Sequence, residues 1–124
     1  MRGLWFLAMV TVVIGSLLPG GSAAMHWISL LHVNDKTQHF LAYAVLAWFP
    51  VRIYSRTAAL GACGMLVTLG VALEVLQSMV PGRSCELLDA LADLGGVMSG
   101  FVFGWVLAVG ARMMRTGASS GTPA

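Results

Sequence analysis

Long apolar runs alternate with short polar clusters along the chain, and the runs predict helices. Leu4 to Leu18 is apolar behind Arg2, and Pro19, Gly20 and Gly21 stop any helix there. The connector from Pro19 to Asn34 carries His26, Trp27 and His32, and a tryptophan in such a position suits a membrane–water interface. Asp35 opens a second helix reaching about Tyr54, with Asp35 and Gln38 spaced as a capping box and Pro50 as a kink near its far end. A third helix runs from about Thr57 to Met79, with small residues Ala58, Gly61, Ala62 and Gly64 in its first half. After the turn V-P-G-R-S, Ser84 caps a fourth helix from about Cys85 to Ala111. Gly96, Gly100 and Gly104 recur along it at i,i+4, a ridge that lets another helix approach closely. Thr116 to Ala124 is small and polar and reads as a disordered tail.

Composition turns this pattern into a membrane reading. Of the 124 residues, 58% are hydrophobic and only 10% charged, with a mean hydropathy of +0.85. A single soluble domain of this size cannot bury so much apolar surface, so most of its solvent is lipid. The expected fold is all-α: a polytopic bundle of four transmembrane helices over residues 1–115. The number falls to three if the first segment is a cleaved signal peptide, which a short apolar run before G-S-A-A also fits. A net charge of +2 carried by scattered basic residues argues against nucleic acid. Cys63 and Cys85 are not a disulfide, because a helix of about 24 Å separates Cys63 from the loop that holds Cys85.

The basic residues set the sidedness. Arg2, Arg52 with Arg56, and Arg112 with Arg115 fall at alternate helix ends and therefore on one side, cytoplasmic by the positive-inside rule. Both termini are then cytoplasmic. Asp35, Glu74, Glu86, Asp89 and Asp93, which are all of the chain's carboxylates, lie at the opposite end.

Several of those acids have structural explanations. Asp35, Glu86 and Asp89 fall at helix starts, where capping and the helix dipole favour an anion. Glu74 does not, since it sits at a helix C-terminus and Lys36 at a helix N-terminus, both unfavourable. They want partners, and Lys36, Arg83 and His39 are the cations available to Glu74. His39 aligns with Asp35 at i−4 and Tyr43 at i+4; Gln77 shares a face with Glu74, and Asp89 with Asp93. Phosphate-loop, dinucleotide, H-E-x-x-H and C-x-x-C motifs are missing from the sequence, so a nucleotide or redox enzyme is not expected.

Two blocks, D-K-T-Q-H-F-L-A-Y-A-V-L (Asp35 to Leu46) and E-V-L-Q-S-M-V-P-G-R-S-C-E-L-L-D-A-L-A-D-L-G-G-V-M-S-G (Glu74 to Gly100), resemble the VanZ-like family. These are small bacterial membrane proteins named for a member associated with resistance to the glycopeptide teicoplanin. The match falls on Asp35, Lys36, His39, Phe40, Tyr43, Glu74, Gln77, Pro81, Arg83, Asp89, Gly96 and Gly100, and S-L-L-P at Ser16 to Pro19 resembles the end of the family's first helix. That favours a retained first span and four helices. Asp93 stands where the family typically has asparagine, so an extra carboxylate there either titrates upward, binds a cation, or pairs with Arg83 or Lys36. The family's biochemical activity is not settled, so the resemblance names no reaction.

The expected function is a cell-envelope membrane protein that handles an anionic lipid or lipid-linked intermediate at its extracytoplasmic face. Lys36 and Arg83 would hold the headgroup, His39 and Glu74 would move protons, and Asp35, Tyr43, Gln77, Asp89 and Asp93 would line the site. A glycine-lined fourth helix would admit an acyl chain. Two alternatives stay open: a non-enzymatic helical partner subunit whose charges only lock the bundle, or a divalent-cation site built from Asp35, His39, Glu74 and Asp89. Cofactor, oligomeric state and enzymatic status are not readable from the residues.

Overall fold

A computed structural model describes residues 1–119 and contains, among them, five helices and no strands. They are α1 (Arg2–Leu17), α2 (Ala23–Ser29), α3 (Asp35–Ile53), α4 (Arg56–Gln77) and α5 (Leu87–Ser119). The extra element, α2, occupies the connector and is capped by the Ser22 hydroxyl, which accepts from the Met25 amide. His32, at a left-handed φ of 53°, turns the chain from α2 toward α3.

Three boundaries differ from expectation. Asn34, not Asp35, caps α3, accepting from the Lys36 amide, while Gln38 donates to the Val33 carbonyl. The fourth run becomes helical at Leu87, and the Ser84 hydroxyl turns to the Glu86 carboxylate instead of capping it. The expected tail from Thr116 is helical through Ser119; residues 120–124 lie outside the described residues. Cys63 is buried and Cys85 exposed, both as free thiols.

α3 is the central element, packed most closely against α5. The glycine ridge makes this possible. A Cβ at Gly96 would collide with the Phe40 carbonyl, one at Gly100 with the Ala44 carbonyl, and one at Gly104 would meet Trp48 and Val51. The two backbones are therefore in contact at these glycines, and beside that contact Leu41, Val45, Trp48, Gly100 and Phe103 line an open apolar groove. In α4, by contrast, Gly61 and Gly64 face nothing within 4 Å, so they make no such seam.

α1 is attached to α3 through a proline. Pro50 has no amide hydrogen, which leaves the Leu46 carbonyl without its partner four residues on. The Trp5 indole donates to that carbonyl at 2.9 Å, and Trp5 packs edge-on to Tyr54. The core formed here contains Trp5, Tyr43, Leu46, Phe49, Leu66 and Val97.

The molecule is inverted relative to a water-soluble bundle. Glu74, Gln77, Asp89 and Asp93 are buried, whereas Leu60, Val71, Val75, Met98, Val102 and Phe103 are exposed. α4 and α5 are each long and apolar enough to cross a membrane.

Candidate functional site

The two polar clusters meet where α3 and α5 begin and α4 ends. His39, one turn inside α3, donates from Nδ1 to Asp93 Oδ1 of α5 at 2.8 Å, and the same nitrogen lies 3.9 Å from Glu74 Oε1 of α4. The side chains of Glu74 and Asp93 are 5% and 3% exposed, and that of His39 is 11% exposed, so the three form one buried unit drawn from three helices. Room for it comes from Gly70 on α4, where a Cβ would lie 2.9 Å from Asp93 Oδ2. Asp93 therefore pairs with the imidazole, not with Arg83 or Lys36.

Glu74 is held on one side only. Its Oε2 accepts from the Glu86 amide at 3.3 Å, while Oε1 has no hydrogen-bond partner among the described residues. The buried Tyr43 hydroxyl is also without one. An orphaned buried oxygen costs about 1–3 kcal/mol, so these two atoms are open to a water or another hydrogen-bonding group.

The expected cations serve mainly as clasps. Lys36 Nζ donates to Glu86 Oε2 at 2.7 Å and stands 3.5 Å from Asp89 Oδ1. Its hydrogen bond holds the Glu86 carboxyl below the usual range. Arg83 reaches back to α1, donating from Nε to the Leu18 carbonyl and from Nη2 to that of Gly15, each at 3.3 Å. Its Nη1 has only a loose ion pair with the half-exposed Asp35 at 3.7 Å. Gln77 donates to the Ser16 carbonyl at 2.8 Å. At the C-terminal end of α1, the Ser16 and Leu18 carbonyls are thus filled by α4 and by the loop, and the Gly15 carbonyl, which already takes the Leu18 amide, accepts from the loop as well. Gly82, at a φ of 76°, turns that loop so that its carbonyl carbon and oxygen pack on Gly20.

The structure gathers the expected side chains at this end of the bundle in separate groups. His39, Glu74 and Asp93 form the buried unit; Tyr43 borders it; Lys36 and Asp89 join α3 to α5; Asp35, Arg83 and Gln77 face α1. Glu86 is a participant that reading it as a helix-start cap conceals. Its carboxylate takes Lys36 and its amide takes Glu74, and the only signal for it is its place in the acidic stretch. Gly70 carries no sequence signal at all.

Between α1, α2 and α3 opens a cleft of about 130 Å³. Asp35, Gln38, His39, Tyr43 and Arg83 give it polar walls, and Val12, Met25 and Ile28 give it apolar ones. The volume suits a phosphate-sized group or a few waters. Five carboxylates here share Lys36, Arg83 and a protonatable imidazole, so negative charge is in surplus. Compared with protein-family models, curated proteins and solved structures, the chain matches none.

Proposed function

We propose that this chain is a VanZ-like protein of the bacterial cytoplasmic membrane that binds an anionic lipid or lipid-linked envelope intermediate at its extracytoplasmic end. The exposed apolar faces and buried acids support a lipid environment, since isolated charges are tolerated in hydrocarbon only when turned inward. In this reading α1 and α3 cross the membrane beside α4 and α5. Both termini are cytoplasmic, because Arg2, Arg52, Arg56, Arg112 and Arg115 gather at the helix ends remote from the acids.

The observation that carries the proposal is the cleft itself: polar groups of Arg83, Asp35, Tyr43 and His39 face apolar Val12, Met25 and Ile28, and His39 links the cleft to the buried Asp93 and Glu74 behind it. Such a cleft suits an amphiphile. Arg83 Nη1 is the donor best placed for its phosphate, because the other guanidinium nitrogens are already engaged and Nη1 gives up only a loose pair with Asp35. Lys36 organises the loop instead. His39 and Glu74 can pass a proton to or from the bound group.

Native mass spectrometry of gently purified protein tests this. The wild-type chain is expected to carry an anionic lipid, and Arg83→Ala to lose it about tenfold or more. A wild-type chain without lipid, or equal loading in the variant, overturns the reading.

The bonds from Arg83 and Gln77 to α1 favour a second reading, in which the polar cluster only locks the bundle. It requires Glu74→Gln to lower unfolding temperature in step with abundance. The lipid-handling reading requires Glu74→Gln to fold like the wild type.

A further inference from the structure

We propose that His39, Glu74 and Asp93 bind one divalent transition-metal ion, zinc or manganese. This does not rest on the lipid reading; it follows from the geometry of the three side chains.

One ligand atom from each residue lies within 4.8 Å of the others, on three separate helices. His39 Nδ1 is 2.8 Å from Asp93 Oδ1 and 3.9 Å from Glu74 Oε1. Ligands held about 2.0–2.1 Å from a tetrahedral zinc stand roughly 3.3 Å apart, between these two separations. Small side-chain rotations suffice to close the set.

Two further observations point to an ion. Glu74 Oε1 is buried, aimed at the imidazole nitrogen, and without a hydrogen-bond partner among the described residues. The Tyr43 hydroxyl, also buried and unpartnered, lies one helical turn from His39 and can donate a hydrogen bond to a metal-bound water. Outer support is in place as well, for the Glu86 amide fixes the second oxygen of Glu74.

Charge favours the ion. Glu74, Asp89 and Asp93 are all buried, and among them only Asp89 has a permanent cation within reach, Lys36, which it shares with Glu86. A dication between Glu74 and Asp93 removes the surplus. It takes the place of the proton now held between His39 Nδ1 and Asp93: from a neutral ring that proton shifts to Nε2, and from an imidazolium it leaves to solvent. One nitrogen and two carboxylate oxygens suit zinc or manganese better than calcium or magnesium, which take oxygen ligands. A second trio, Asp35, His39 and Asp89, is also close-set, but Asp35 is half-exposed beside Arg83 and Asp89 is beside Lys36. The set expected from the sequence thus changes: Asp93 replaces Asp35 and Asp89.

The test is metal content of the full-length chain, purified in detergent, stripped with chelator, incubated with zinc chloride or manganese chloride, and desalted. The wild type and Cys85→Ser are expected to retain about one equivalent, and Glu74→Gln and Asp93→Asn about a tenth of that or less, with unchanged helical circular dichroism. No retained metal in the wild type, or full retention in both variants, overturns the proposal. Should the variants not fold, cobalt(II) added to the wild type decides. A visible spectrum without a thiolate charge-transfer band supports the site, and a thiolate band, which means Cys63 or Cys85 is the ligand, overturns it. A chain that carries lipid but no metal loses this inference and keeps the previous reading.

Discussion

At the scale of single residues, Asp93 decides the character of the site. Its carboxylate accepts the His39 proton, but an amide oxygen can accept it too, and an asparagine removes one of three buried negative charges. For the metal-free protein, Asp93→Asn is expected to keep its unfolding free energy within about 1 kcal/mol, whereas Asp93→Ala loses about 1–3 kcal/mol by orphaning His39 Nδ1. Thermal unfolding in detergent micelles distinguishes them, and equal losses in the two variants would show that the charge, not the acceptor, matters. The sequence shows that His39 and Asp93 are unusual but not that they touch. Helical periodicity relates a residue only to neighbours three and four away, so His39 lines up with Asp35 and Tyr43 on paper while its partner lies 54 positions along. For the same reason Asp35 reads as a cap although Asn34 performs that task, since either residue has the required side-chain oxygen.

Helices meet here through backbone as much as through side chains. The sequence marks Pro50 as a kink, yet nothing local says which donor fills the carbonyl that the proline frees. The structure answers with Trp5. The two residues should therefore be coupled. Trp5→Phe leaves the Leu46 carbonyl orphaned in the wild-type background, but in Pro50→Ala the helix supplies its own amide. A double-mutant cycle on unfolding free energy is expected to give a coupling of about 0.5–1 kcal/mol, and additivity would show that the indole bond is incidental. The glycine repeat of α5 is the part of helix packing most legible beforehand, because i,i+4 glycines can only mean close approach. The similar small residues of α4 mislead, as composition cannot say whether a neighbour is present. The helix α2 escapes notice because seven residues are too few for a periodic signal.

Across the whole molecule the charges are polarised, the acids at one end and every arginine except Arg83 at the other. The acids are knitted together by Lys36, His39 and Arg83, while at the far end Arg2 stacks over Tyr54 and Arg52 over Trp48. α5, at 33 residues, spans about 50 Å and outreaches a hydrocarbon layer of about 30 Å. The proposed orientation is tested by the native exposed thiol. In spheroplasts, Cys85 is expected to react with a membrane-impermeant maleimide, whereas a cysteine placed by Ser55→Cys in a Cys85→Ser chain reacts only after permeabilisation. The reverse order of labelling would invert the topology.

The seam between α3 and α5 has one more consequence. With backbone pressed to backbone at Gly96 and Gly100, nothing passes between α3 and α5 at that level. The thinner side is α1 with α2, held by an indole at one end and by Arg83 and Gln77 at the other. In the proposed reading, anything too large for the resting cleft enters by swinging that first helix aside, which makes the N-terminal segment the doorway.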